Sequence, residues 1–153
     1  MPGFELIGKE ERKAVNELFD DGGVLFAHGF DNMRNNRYHV REFEENFSEY
    51  LGVKYSQAVS SGTAALKIAL LALGVRPGDE VITQTFTFIA TAEAIIDIGA
   101  KPVFVNIDET LNMNPNELES SINKKTAAII PVHMLGVATE QDQILSIAKK
   151  YNI

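Results

Sequence analysis

Cysteine is absent from the sequence, which excludes a disulfide framework and any thiolate-held metal. Histidine is scarce: His28, His39 and His133 are the only three, and their spacing matches no metal-ligand pattern, so no metal is expected. Long basic runs are missing too. No basic run is longer than a pair such as Lys124-Lys125 or Lys149-Lys150, and 21 acidic residues against 14 basic ones give a formal charge of −7, so there is no electrostatic footprint for nucleic acid. The most apolar stretch, Ala64 to Val75, is broken by Lys67 and falls far short of the roughly 20 residues that span a bilayer. Nothing near Met1 reads as a charged segment followed by an apolar one. The expected compartment is the cytoplasm, with no membrane partner.

What is present is the alternation of an α/β chain. From Tyr55 onward β-rich and helical patterns take turns: YSQAVS, GTAALKIALLALG, EVITQ, FIATAEAIIDIG, PVFVN, PNELESSI, AAIIPV and EQDQILSIAKKY. This rhythm predicts βαβ units around a mostly parallel sheet with flanking helices. Gly74 and Gly99 stand just past helical runs, Asn114-Pro115 reads as an N-cap followed by a first-turn proline, and Thr139 with Asp142 reads as the cap of the last helix. The chain reaches Ile153 at the end of a helix, where the rhythm leads to the expectation of a further strand. At 153 residues the prior is one domain or a piece of a larger one.

Residues 1–50 have another texture. Helical periodicity in KEERKAVNELF and REFEENFSEYL flanks an irregular stretch, Asp20 to Asn36, rich in Gly, Asn and Asp. A loop of that length is usually functional or disordered, and its aromatic and arginine content favours a binding or partner-contact segment.

The stretch Ser60-Ser61-Gly62-Thr63 opens an apolar helix pattern. A helix amino terminus carries unsatisfied N–H groups and partial positive charge, which makes it a ready anion site. Gly62 allows close approach of an anion, and the hydroxyls of Ser61 and Thr63 add donors. A plain N-cap is the competing reading, since Ser and Thr are favoured there without any ligand. The helix is apolar nearly all round and is therefore expected to be buried. Neither the P-loop nor the G-x-G-x-x-G pattern is present.

The string VSSGTAALKIALLALGVRPGDEVITQTFTFIATAEAI, followed by GAKPVFVNID and IIPVHMLG, resembles the DegT/DnrJ/StrS family of sugar aminotransferases. The resemblance implies an aspartate aminotransferase fold (fold type I), of which residues 41–153 would be the amino-terminal part of the large domain that binds pyridoxal 5'-phosphate. Residues 1–40 would form an amino-terminal helix and a substrate- or partner-contact segment. It implies that Ser61, Gly62 and Thr63 bind the cofactor phosphate and that Phe88 stacks on the pyridine ring; core packing is the competing reading for both phenylalanines and the expectation for Phe86. His133 matches a family histidine that either contacts substrate or orients a loop. MPGFELIG and MRNNRYHVREFE look like the branch that makes 8-amino-3,8-dideoxy-octulosonate. There Arg34, Arg37 and Arg41 would hold a sugar carboxylate by bidentate contacts, or else form an exposed basic cluster.

The implied reaction moves an amino group, with glutamate the expected donor, onto a keto or aldehyde sugar, the cofactor passing through pyridoxamine phosphate. The implied assembly is a homodimer. The family's Schiff-base lysine and the acid paired with the pyridine nitrogen are expected beyond Ile153. Of the nine lysines only Lys67 is near the Ser-Gly-Thr turn, and none is assigned the catalytic role. A fragment inactive by itself is therefore expected, the alternative being a non-catalytic or regulatory domain that keeps the phosphate turn.

Overall fold

A computed structural model describes residues 3–153. The chain divides into two units, Met1–Ala58 and Val59–Ile153. The functional boundary expected after residue 40 falls inside a helix of the first unit.

In the first unit, α1 (Lys9–Asp20) starts where the Gly8 N–H donates to Glu11 Oε2 at 2.7 Å, a side chain reaching back to satisfy one of the first-turn donors. α2 (His39–Leu51) ends at Gly52 in the left-handed region, the usual glycine stop. Between them the irregular stretch is folded on itself. Arg34, only 5% exposed, donates to the Phe26 carbonyl at 2.8 Å, Arg37 pairs with Asp21, and the Tyr38 hydroxyl donates to Asp31. The Phe26 and Phe30 rings stack at 5.3 Å. The guanidinium groups of Arg34 and Arg41 lie 4.8 and 4.4 Å from the Tyr38 ring centre, a cation–π arrangement.

The expected first strand, YSQAVS, does not form. A strand needs a neighbour to complete its ladder, and these residues pair with none among those described. Instead Glu44 of α2 ties the segment down: its carboxylate accepts from the Ala58 N–H at 2.8 Å and from Gln57 Nε2 at 2.7 Å.

The second unit runs α3 (Gly62–Ala72), β1 (Glu80–Gln84), α4 (Ile89–Asp97), β2 (Lys101–Val105), α5 (Pro115–Ser121), β3 (Thr126–Ile130), α6 (Gln141–Tyr151). The three strands are parallel in the order β2-β1-β3. β1 is central and covered on both faces, so its side chains alternate between two apolar layers. Val81 joins Leu70, Val75, Ile95, Ile98 and Ala128 in one layer. Ile82 joins Val105, Met113, Leu118 and Ile144 in the other. Each fully buried aliphatic side chain contributes about 1.5–3 kcal/mol to holding the sandwich.

The local punctuation is largely as expected. Gly74 and Gly99 adopt positive φ just past α3 and α4, and Asn114 caps α5, its side chain accepting from the Asn116 N–H ahead of Pro115 at the first turn. The last cap is different: α6 starts after Glu140 with no side-chain cap. Thr139 is otherwise engaged, its hydroxyl donating to Gln141 Oε1 and its N–H to His133. The burial of α3 is also not as expected. Leu70 is its one fully buried residue, while Ile68 and Leu71 are about half exposed, because the helix packs on α4 along one side only.

Candidate functional site

The mouth of α3 is an open donor cluster. Ser61 is its N-cap, and the Ser61 Oγ accepts from the Ala64 N–H at 3.1 Å. The N-cap reading is thus correct for Ser61. Among the described residues no acceptor meets the N–H groups of Gly62 and Thr63 or the Thr63 hydroxyl. A Cβ added at Gly62 meets nothing within 4 Å, so there is free space above the first turn. Two unpaired N–H groups at a helix amino terminus, a hydroxyl and room for an anion are the elements of a phosphate cradle.

A groove of about 690 Å³ runs from this mouth between α3 and α4, lined by Ser61, Thr63, Lys67, Glu93 and Asp97 among others. Lys67 and Asp97 form an ion pair across it, which neutralises both charges and leaves the helix mouth as the main positive feature. Ser61 and Thr63 thus share one groove, while Phe88 and His133 lie outside it.

Phe88 and His133 belong to the carboxyl edge of the sheet, where ligands of parallel α/β sheets bind. Phe88 immediately precedes α4, four residues after β1, and is 75% exposed, an aromatic face available for stacking. Phe86 does not pack in the core as expected. It is 43% exposed, in the turn that joins β1 to α4. His133 follows β3 and is exposed, and its Nδ1 accepts from the Thr139 N–H at 3.0 Å. With Nδ1 an acceptor, the proton of the neutral ring sits on Nε2.

Two residues at this edge were not singled out from the sequence. Gln84, at the last position of β1, is fully buried. Its Nε2 donates to the Phe86 and Leu111 carbonyls at 3.0 and 3.2 Å, and its Oε1 accepts from the Met113 and Val132 N–H groups, both at 3.1 Å. Asn112, also buried, accepts from the Met134 N–H at 2.9 Å and donates toward Thr110 Oγ1 and the Val137 and Ala138 carbonyls. The available signal was a long polar side chain ending the otherwise buried EVITQ run.

Arg34 and Arg37 are engaged within the first unit, Arg34 by the Phe26 carbonyl and Arg37 by Asp21. Among the described residues there is no cluster of metal-ligating side chains, and no helix is long and apolar enough to cross a membrane.

Comparison with known proteins adds an independent line. The model of the DegT/DnrJ/EryC1/StrS aminotransferase family matches residues 7–153. The spore coat polysaccharide biosynthesis protein SpsC of Bacillus subtilis is 42% identical over 149 residues, which cover 97% of this chain and 36% of that protein. The UDP-2-acetamido-2-deoxy-3-oxo-D-glucuronate aminotransferase of Pseudomonas aeruginosa is 49% identical over 115 residues, covering 74% of this chain and 32% of that protein. The crystal structure of NtdA from Bacillus subtilis, with bound cofactor PMP, superposes with a TM-score of 0.83 at 36% identity, covering 97% of this chain and 33% of that one. The chain spans about a third of the length of the curated relatives it matches. The fold is the expected part of a fold type I aminotransferase large domain, a parallel sheet with flanking helices. On a family match that runs from residue 7 to residue 153, the chain belongs to the DegT/DnrJ/EryC1/StrS aminotransferase family.

Proposed function

We propose that this chain supplies the phosphate end of the cofactor site of a pyridoxal phosphate-dependent sugar aminotransferase, within a large-domain segment covering residues 41–153. The observation that carries the reading is the mouth of α3, with the unpaired N–H groups of Gly62 and Thr63 and the free Thr63 hydroxyl facing open space. PMP in the superposing NtdA structure and the sugar-nucleotide substrate in the name of the Pseudomonas relative support it. The substrate in this reading is a keto or aldehyde sugar, nucleotide-linked or of the octulosonate type. Glutamate is the amino donor, and the working form is a cytoplasmic homodimer.

When bound, pyridoxal phosphate supplies an electron-withdrawing ring that eases loss of a proton from the amine-bearing carbon. This chain's residues anchor and orient. Ser61 shapes the first turn of α3, while Gly62 and Thr63 hold the phosphate dianion by charge-assisted hydrogen bonds. Phe88 provides the plane against which the ring stacks. His133 offers its Nε2–H to an acceptor on the substrate, while Arg34 and Arg37, engaged by the Phe26 carbonyl and by Asp21, are given no part in this reading. No lysine of this chain is given the cofactor-linking role, and Lys67 is occupied by Asp97. That lysine and the acid facing the pyridine nitrogen are assigned to the remainder of a full-length protein.

The test compares pyridoxamine phosphate with pyridoxamine, which differ only in the phosphate and form no imine with lysine. Full-length protein is expected to bind the phosphorylated form far more tightly. Thr63→Ala, which removes one hydrogen bond to a charged group, about 1.5–3 kcal/mol, lowers that affinity at least tenfold and leaves pyridoxamine binding unchanged. Equal affinities for the two compounds, or a Thr63→Ala protein indistinguishable from wild type, would refute the cradle.

A further inference from the structure

The carboxyl edge of the sheet is held by two side chains that touch no solvent. Gln84 has two amide hydrogens and two carbonyl lone pairs, and all four are used. Its donors go to Phe86 and Leu111, its acceptor takes Met113 and Val132. These partners lie on the segments that follow β1, β2 and β3 respectively, so one side chain from the central strand joins all three loops of the ligand-binding edge. Asn112 extends the network along the third loop, through Met134 N–H, Val137 O and Ala138 O.

His133 stands between the two anchor points. The Val132 N–H is fixed by Gln84 and the Met134 N–H by Asn112. The same loop brings the Thr139 N–H to His133 Nδ1 at 3.0 Å. The backbone needs this support, since Leu111 and Leu135 adopt positive φ of 65° and 51°. Branched, non-glycine residues hold that conformation only where their surroundings over-determine it.

We propose that Gln84 and Asn112 are positioning residues, a buried pair of amides that sets the three carboxyl-edge loops and fixes His133 as the Nε2–H tautomer, presenting an N–H donor at the ligand face. This deepens the aminotransferase reading, on which it rests for the identity of the ligand. The brace itself is independent of the ligand. A carboxylate cannot replace Gln84, because it lacks the two donors and brings a charge into a dry site. An aliphatic residue leaves two buried N–H groups and two carbonyls without partners.

The experiment uses ¹⁵N-labelled full-length protein containing this chain, without cofactor. In wild type the Met113, Val132 and Met134 amides are expected to exchange slowly, and the ring nitrogen shifts and couplings of His133 to report the Nε2–H tautomer. In Gln84→Met the Met113 and Val132 amides lose at least tenfold protection and His133 becomes a mixture of tautomers, while the amides of α1 and α2 are unaffected. Asn112→Ser, the milder change, does the same at Met134. Rapid exchange of these amides or mixed tautomers in wild type would overturn the brace, whatever the variants do. So would an unchanged His133 signature in a folded Gln84→Met or Asn112→Ser chain. Failure to bind pyridoxamine phosphate would remove the cofactor reading and leave these results standing, so the two failures are distinguishable.

Discussion

Gly22 and Gly62 use the missing Cβ in opposite ways. At Gly22, φ is +103° and an added Cβ would lie 2.0 Å from the Met33 carbonyl oxygen, so the return of the Asp20–Asn36 stretch against the end of α1 depends on hydrogen at that position. At Gly62 the space above the backbone is empty, which suits a ligand better than a packed neighbour. Gly22→Ala combines a forbidden φ with a backbone clash and is expected to destabilise the first unit by more than about 1 kcal/mol. Hydrogen exchange of the α1 and α2 amides reads this directly: faster exchange is expected, and rates equal to wild type would show that the turn tolerates a side chain. The arginines follow the same residue-level logic. Arg34 is drawn under Phe26 and Tyr38 by one carbonyl hydrogen bond and a ring face, an environment no composition argument distinguishes from an exposed basic cluster.

The turn between β2 and α5 depends on the ionisation of one carboxyl. Asp108 Oδ1 accepts from the Thr110 hydroxyl and the Thr110 N–H, and those hydrogen bonds hold its carboxyl below the ordinary range, the Thr110 side chain first and the backbone second. A carboxyl whose folded pKa is depressed contributes stability above its unfolded value, near pH 4, and that contribution is lost as pH falls through the folded value. Asp108→Asn keeps an acceptor but cannot titrate. The melting temperature of wild type is therefore expected to exceed that of the variant at neutral pH and to converge on it below about pH 4; a gap that stays constant with pH would mean the charge is irrelevant to the turn. Such local devices are what a sequence displays. Asn114-Pro115, Gly74 and Gly99 act on their own neighbours, so their roles are legible from a few adjacent letters. YSQAVS has the right letters for a strand and lacks a partner, and a ladder is a property of two segments. Thr139 followed by Asp142 has the letters of a cap, yet its N–H goes to His133. The role of Gln84 is illegible in the sequence for the same reason: its partners reach 48 residues along the chain.

In the second unit as a whole, the parallel β2-β1-β3 order sends every following loop to one edge. That single topological fact puts Phe88 and His133 at the same edge of the sheet, where Gln84 ends β1. The alternation of helical and β-rich runs announced this architecture. The layer on α3 was less legible, because an all-apolar helix implies burial without saying by what, and in this structure only its Leu70 side is covered. Under the proposed function, a full-length protein containing this chain has one expected chemical outcome. Purified, loaded with pyridoxal phosphate and given L-glutamate in the absence of any sugar, it should convert bound cofactor to pyridoxamine phosphate and release one equivalent of 2-oxoglutarate per site, followed by absorbance and by assay of the keto acid. A protein that binds the cofactor and yields no 2-oxoglutarate would contradict the choice of glutamate as donor, and one that neither binds the cofactor nor exchanges the amino group with any amino acid would contradict the aminotransferase reading itself.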